Sequence, residues 1–173
     1  VTLMVATLKG TDLQRVWAIA SEVTDPELPM LTLADLGVLR NVEQDAVGAI
    51  VVSITPTYTG CPAMAAMRDD LVRRLTEAGI APVRVRVQLS PPWTSDWISD
   101  EGRKALRENG ISPPGTSSRG PIALTLKPKR RAIQCPQCGS GDTEVTSEFG
   151  STACKALYRC RACGEPFDHL KEH

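Results

Sequence analysis

Aromatic and imidazole side chains are scarce: two Phe, two Tyr, three Trp and two His occur in 173 residues, and both histidines, His169 and His173, lie at the C-terminal end. No nucleophile-plus-imidazole arrangement can be assembled from the first 168 residues, which excludes a thiol hydrolase there. No Glu-x-x-His pair occurs, so the helices of a di-iron carboxylate oxygenase are missing as well. Net charge is absent too, with 20 Lys plus Arg against 20 Asp plus Glu, and no global field recruits nucleic acid or anionic lipid. No run approaches the ~18 apolar residues of a membrane span. The opening VTLMVATLKG has a short apolar run broken by Thr2 and Thr7 with no basic region before it, so no secretory signal is expected and the protein is placed in the cytoplasm.

What is present is ordinary globular material, 42% hydrophobic and 23% charged, enough for one domain and a small module. Leu13, Val16, Trp17, Ile19, Ala20 and Val23 recur at helical spacing over residues 12–23, with Thr11 or Asp12 placed to cap the start. DPELPMLTLADLGVLR then carries two prolines and a glycine and reads as a long irregular loop entering a strand near Val38. Residues 38–43 and 47–55 suggest an antiparallel hairpin, and Met64, Met67, Leu71, Leu75 and Ala78 line one face of a helix that starts at Pro62 and stops at Gly79. Asp69 with Arg73 and Asp70 with Arg74 offer i,i+4 pairs on its wet face. Val83, Val85, Val87 and Leu89 alternate with polar residues, which predicts a strand with one buried face. Ser99, Asp100 and Glu101 open a further short helix. The class expected is α+β, a small mixed sheet covered by helices and followed by a small C-terminal cysteine module. The boundaries are a first domain at 11–111, a linker at 112–131 with a short strand and the basic run KPKRR, and the module at 132–173.

In a reducing compartment, clustered cysteines point to metal before disulfides. Cys135 and Cys138 form one CxxC, Cys160 and Cys163 another, and each is followed at once by Gly. Two such turns close a tetrahedral S4 site, so structural Zn(II) is expected, in keeping with the few apolar residues of a module this size. Iron in the same cage, free thiols and disulfides are the alternatives, and a colourless preparation excludes iron. Cys154 reads as a small buried strand residue, and His169 and His173 as a solvated tail or additional ligands.

Cys61, in TPTYTGCPAM, precedes Pro62 where a strand gives way to a helix. The helix N-terminus there favours a thiolate, although a small apolar residue is the commonest use of Cys in such a place. Asp25, Glu27 and Asp35 surround the Pro-rich loop. Thiolate plus carboxylate suits a ferrous ion or an iron–sulfur intermediate, whereas loop carboxylates more often cap turns. Trp93 and Trp97 fit a lid, a docking patch or the core.

The stretches DPELPMLTLADLGVLR, TPTYTGCPAM and PPWTSDWISDEGRKALRENGISPP resemble the SufT-like domain family of iron–sulfur protein maturation. With CPQCGS and SEFGSTACKALYRCRACGEPF added, the chain resembles its phenylacetate-degradation branch, the PaaD-like proteins. The resemblance implies an accessory or maturation component of the multicomponent 1,2-phenylacetyl-CoA epoxidase, a monooxygenase system, without catalytic activity of its own. Its implied partners are the iron–sulfur reductase and/or oxygenase subunits, not nucleic acid or membrane, and a homodimer is left open. It maps the reactive thiol onto Cys61, the acidic motif onto Asp25 and Glu27, with Thr59 in the same turn as Cys61, and the ribbon ligands onto Cys135, Cys138, Cys160 and Cys163. Structural zinc and a transient iron or iron–sulfur cargo follow. The alternative is an electron-transfer or structural subunit of the epoxidase, which in the first case needs a redox metal in the S4 cage. A nucleic-acid-binding ribbon using KPKRR is disfavoured by the shortness of that run.

Overall fold

The computed structural model describes residues 10–115 and 133–172, with side chains from residue 13 onward. α1 begins at Gly10, so Thr11 and Asp12 lie inside the helix and not at the cap position expected of them, while the basic run 127–131 and His173 lie outside the described residues. Elements follow in the order α1 (Gly10–Ser21), β1 (Leu39–Gln44), β2 (Ile50–Ile54), α2 (Ala63–Glu77), β3 (Val83–Val87), a 3-10 turn (Ser95–Trp97), α3 (Asp100–Glu108), β4 (Ile111–Ser112), β5 (Thr143–Ser147), β6 (Lys155–Cys160) and β7 (Pro166–Leu170). They form two compact units, residues 10–93 with 97–102, and residues 94–96 with 103–172 apart from 116–132. No helix among the described residues is long and apolar enough to cross a membrane.

In the first unit β1 and β2 pair antiparallel and β2 and β3 parallel, giving a mixed sheet with β2 at its centre. Alternation along β2 sends Ile50, Val52 and Ile54 to one face, where they are completely or almost completely buried. α1 packs on β1, α2 on β3, and the helices on each other, burying Val16, Ala20, Met67, Leu71 and Leu75. Each of the larger of these side chains, Val16, Met67, Leu71 and Leu75, contributes about 1.5–3 kcal/mol by leaving water. Trp17, expected on the buried face of α1, is instead 41% exposed, because the neighbouring turn already places Val16 and Ala20 against the sheet. On the opposite sheet face Arg86 bonds Glu43 and Ser53, and Arg84 bonds Asp45. On α2, Arg74 pairs with Asp70 as expected, while Arg73 pairs with Asp70 and Glu77.

β3 corrects a second expectation. Its valines do not form a buried face: Val83 and Val85 are half-buried, Val87 is 42% exposed and Leu89 beyond it 60%. Among the described residues β3 is an edge strand that pairs with β2 alone and packs against α2 alone, which leaves its far end in solvent. The loop between α1 and β1 departs in the other direction. Leu28, Leu31, Leu33 and Leu36 are at most 3% exposed, Thr24 bridges Thr32, and the chain folds on itself as core. Trp93 is core as well, its indole N–H donating to the Leu36 carbonyl at 2.9 Å, while Trp97 lies under the Arg40 guanidinium at 3.5 Å. Ser99 caps α3, accepting the Gly102 amide and donating to Asp35.

The second unit is a four-stranded sheet in the order β4-β7-β6-β5, antiparallel except for the parallel pairing of β4 with β7. Ile111, the last residue of the expected first domain, and Ser112, the first of the expected linker, are part of this sheet. One small cluster of its core joins Cys135, Cys160 and Phe167, with Ile133 and Tyr158 packed against them, and Leu106, Ile111, Ala156 and Leu170 are buried elsewhere in the unit.

Candidate metal centre and thiol turn

Each CxxCG segment folds into the same tight turn. The Gly139 amide donates to the Cys135 carbonyl and the Gly164 amide to the Cys160 carbonyl, both at 2.9 Å, and both glycines adopt positive φ, 73° and 83°. A side chain there would force a left-handed backbone that other residues adopt only at a cost. The turns point backbone N–H groups at the sulfurs: those of Cys163 and Ala162 hold the Cys160 thiol down at about 7. The Glu165 amide pulls Cys163 the same way, but desolvation inside the cage and the neighbouring Cys138, Cys160 and Cys135 sulfurs outweigh it and push that thiol up to about 12. One sulfur ionises readily and another resists, as expected of negative charges crowded together without a cation.

The four sulfurs lie within 4.8 Å of one another, with Cys135 to Cys163 at 3.8 Å and Cys138 to Cys160 at 3.6 Å. Disulfides, at about 2.05 Å, are excluded. A tetrahedron with Zn–S bonds of about 2.3 Å sets its sulfurs about 3.8 Å apart, so the donor set and its spacing fit zinc. Cys135 and Cys160 are buried and Cys138 and Cys163 exposed. His169 is not in the cage. It is 5% exposed, not a solvated tail residue, with Nδ1 3.1 Å from the Ser112 carbonyl and its ring edge-on to Tyr158. Cys154 is buried just ahead of β6, its sulfur 3.0 Å from the Thr152 hydroxyl.

In the first unit the end of β2 runs through residues 55–61 into α2. Gly60 turns the chain with φ 87° although open space surrounds its Cα, so the backbone alone demands glycine. Cys61 is half-buried, and its carbonyl accepts the Met64 amide. Pro62 occupies the cap position of α2 with no side-chain cap, and the first turn holds no acidic residue. Neither the cap residue nor the first turn of α2 itself supplies a side chain to the positive end of the helix dipole beside Cys61. Thr59 is exposed and Glu27 half-buried. Asp25 is 5% exposed, and its Oδ1 accepts the Glu27 and Leu28 amides at 2.7 and 2.9 Å, so it shapes the loop that carries Glu27. Asp35 does the same for the next turn, accepting from Thr32 and Ser99. Sequence reasoning missed the buried hydroxyl of Thr55, which has no partner among the described residues and opens this loop. No sequence signal distinguishes it from the other threonines.

Two family models match, one for each part of the chain: an iron-sulfur cluster assembly protein over residues 13–92 and the PaaD zinc beta ribbon domain over residues 120–171. The chain is 46% identical over 166 residues to an Escherichia coli (strain K12) protein named as a component of 1,2-phenylacetyl-CoA epoxidase, covering 96% of each. The chain belongs to the PaaD family. Its first part is also 35% identical over 85 residues to the Fe-S protein maturation auxiliary factor SufT of Staphylococcus aureus (strain USA300), covering 49% of this chain and 96% of that one. Among solved structures, the crystal structure of a DUF59 domain from Bacillus anthracis superposes with a TM-score of 0.51 at 26% identity, over 56% of this chain and 92% of the other. The PaaD chain thus joins a part similar to Fe-S maturation factors to a ribbon whose four CxxC cysteines lie together in the structure.

Proposed function

We propose that this PaaD chain is an accessory maturation factor of 1,2-phenylacetyl-CoA epoxidase in phenylacetate catabolism, assisting iron or iron–sulfur assembly in a partner subunit. One observation carries the reading: a chain aligned almost end to end with an epoxidase component has a first part that aligns with SufT. In this reading the Cys61 turn handles the cargo. A half-buried thiol before an uncapped helix terminus suits the transient holding of iron or a cluster, with Thr59 and Glu27 as accompanying oxygen donors and Asp25 holding Glu27's loop in shape. The ribbon, held by Cys135, Cys138, Cys160 and Cys163, docks the reductase or the oxygenase subunit. Its zinc is structural, held by four cysteines with no position left open, and Zn(II) undergoes no redox change with which to pass electrons.

The test expresses the epoxidase subunits with this chain, without it, and with Cys61→Ser. The variant is expected to keep its fold and its zinc, while iron content and activity of the client fall to the level seen without the chain. Full iron and full activity with the variant would remove the transfer role. Visible absorption and metal analysis of the purified chain separate this reading from an electron-transfer subunit, which requires iron in the cage.

A further inference from the structure

One face of the ribbon sheet carries Tyr158 in register with both Val145 and Phe167, and Ala156 in register with His169. Beside the cage this face is filled by the small core. Farther along, the described residues leave a concavity of about 470 Å³ whose walls include Thr143, Val145, Glu148, Tyr158, His169 and Glu172. That volume lies in the range of ligand sites, and the chemistry of its wall is one-sided.

The wall is built of acceptors. The Ser112 carbonyl can only accept, so Nδ1 of His169 carries the hydrogen between them, and burial lowers the ring's pKa, which favours the form whose Nε2 is an acceptor. The Thr143 hydroxyl donates to the Ile133 carbonyl at 2.7 Å and offers only lone pairs. The carboxylates of Glu148 and Glu172 line the same cavity as the Tyr158 ring. Glu172 also accepts the Gly115 amide through Oε1. Lys171 borders the cavity, but its ammonium donates to the Ala153 carbonyl at 2.9 Å and lies 4.3 Å over the Phe149 ring. Glu144 is held by Arg161 at 2.7 Å. Two carboxylates exclude an anion. A bare metal ion is disfavoured, because among the described residues only the cage brings three or more ligand groups together. An aromatic face beside carboxylates and further acceptors is complementary to an organic cation with several N–H donors.

We infer that this cavity seats an arginine or lysine side chain from a segment of a partner protein, with flanking apolar residues of that segment resting on Val145. Val145 is 42% exposed on the cavity wall and supplies the contact a free small cation would not need. The inference goes beyond the maturation role and does not depend on Cys61.

The experiment uses the zinc-loaded full chain and a short capped peptide with one arginine between two leucines, followed by the amide and side-chain resonances of Tyr158, Val145 and His169. The same peptide with citrulline in place of arginine keeps the shape and removes the charge. The expected result is saturable shifts with the arginine peptide and at least tenfold weaker binding for the citrulline peptide. The double variant Glu148→Gln, Glu172→Gln, checked for unchanged zinc content and amide dispersion, is expected to weaken the arginine peptide comparably. Equal binding of both peptides, or no shift with either, overturns the proposal. Methylguanidinium binding as tightly as the peptide also overturns it, making the cavity a small-cation site. If the arginine peptide binds only after Lys127, Lys129, Arg130 and Arg131 are changed to Gln, the occupant is this chain's own basic run and the partner assignment is overturned.

Discussion

The two units of this PaaD chain reach stability by different routes. The first buries Val16, Leu31, Leu33, Leu36, Ile50, Ile54, Leu71 and Leu75 almost completely around a central strand. The second buries fewer apolar side chains, among them Leu106, Ile111, Ala156 and Leu170, and the cluster at the foot of its ribbon is Cys135, Cys160 and Phe167, two of which belong to the four-cysteine group that could hold a metal. An aliphatic core sums many small terms and tolerates losing one. A sulfur cage concentrates its stabilisation in one ion and has little to fall back on.

The sharpest way to break this comparison is to remove the metal. Chelation, or Cys160→Ser, is expected to unfold residues 133–172, since structural zinc supplies about 10–16 kcal/mol in modules of this kind. Methyl resonances of Leu71 and Ile54 are expected to persist, and their collapse alongside the ribbon would show that the units do not stand separately. The converse change is Leu71→Ala, at a completely buried position. It should destabilise the first unit by about 2–5 kcal/mol in denaturant titration while zinc stays bound.

A smaller effect sharpens the contrast inside the first unit. Asp25→Ala strips the acceptor from the Glu27 and Leu28 amides and should destabilise by about 1–3 kcal/mol, with faster hydrogen exchange at those two amides. Unchanged exchange there would mean the loop is held by its leucines alone. The smallest effect concerns His169, whose pKa is lowered from 6.5 mainly by burial, with the Ser112 carbonyl and the Glu172 charge opposing. Because the unfolded chain binds the proton more readily, the His169 contribution is constant above about pH 6.5 and stability is lost as pH falls below it. His169→Gln should flatten that part of the thermal-stability profile with zinc held saturating, leaving only the fall caused by protonation of the cage. An unaltered slope would assign the whole acid response to the sulfurs.

Local pattern carried much of this molecule. The hairpin, the helix from Ala63, the Ser99 cap and the four ligand cysteines were legible because each depends on residues close in sequence: alternation, a proline at a helix start, a hydroxyl three residues before an amide, CxxC followed by Gly. Failures fell where burial depends on what arrives from far away. The leucines of the loop after α1 were hidden among prolines and carboxylates, and β3 showed a clean alternation that its edge position does not honour. The site divided the same way, since the residue types at Cys61, Glu27 and Asp25 were visible while the commitment of Asp25 Oδ1 to its own loop was not.

Residue order alone thus determined the two CxxC turns that meet in one cluster, the class of fold and the turn that presents Cys61, all set by short-range stereochemistry. Only the tertiary structure decided which apolar residues are covered, which carboxylates are occupied, and that His169 sits beside Tyr158 on the wall of an acceptor-lined cavity. Those outcomes depend on which surfaces meet across long stretches of chain, and a hydrophobic side chain carries no mark of its eventual neighbour.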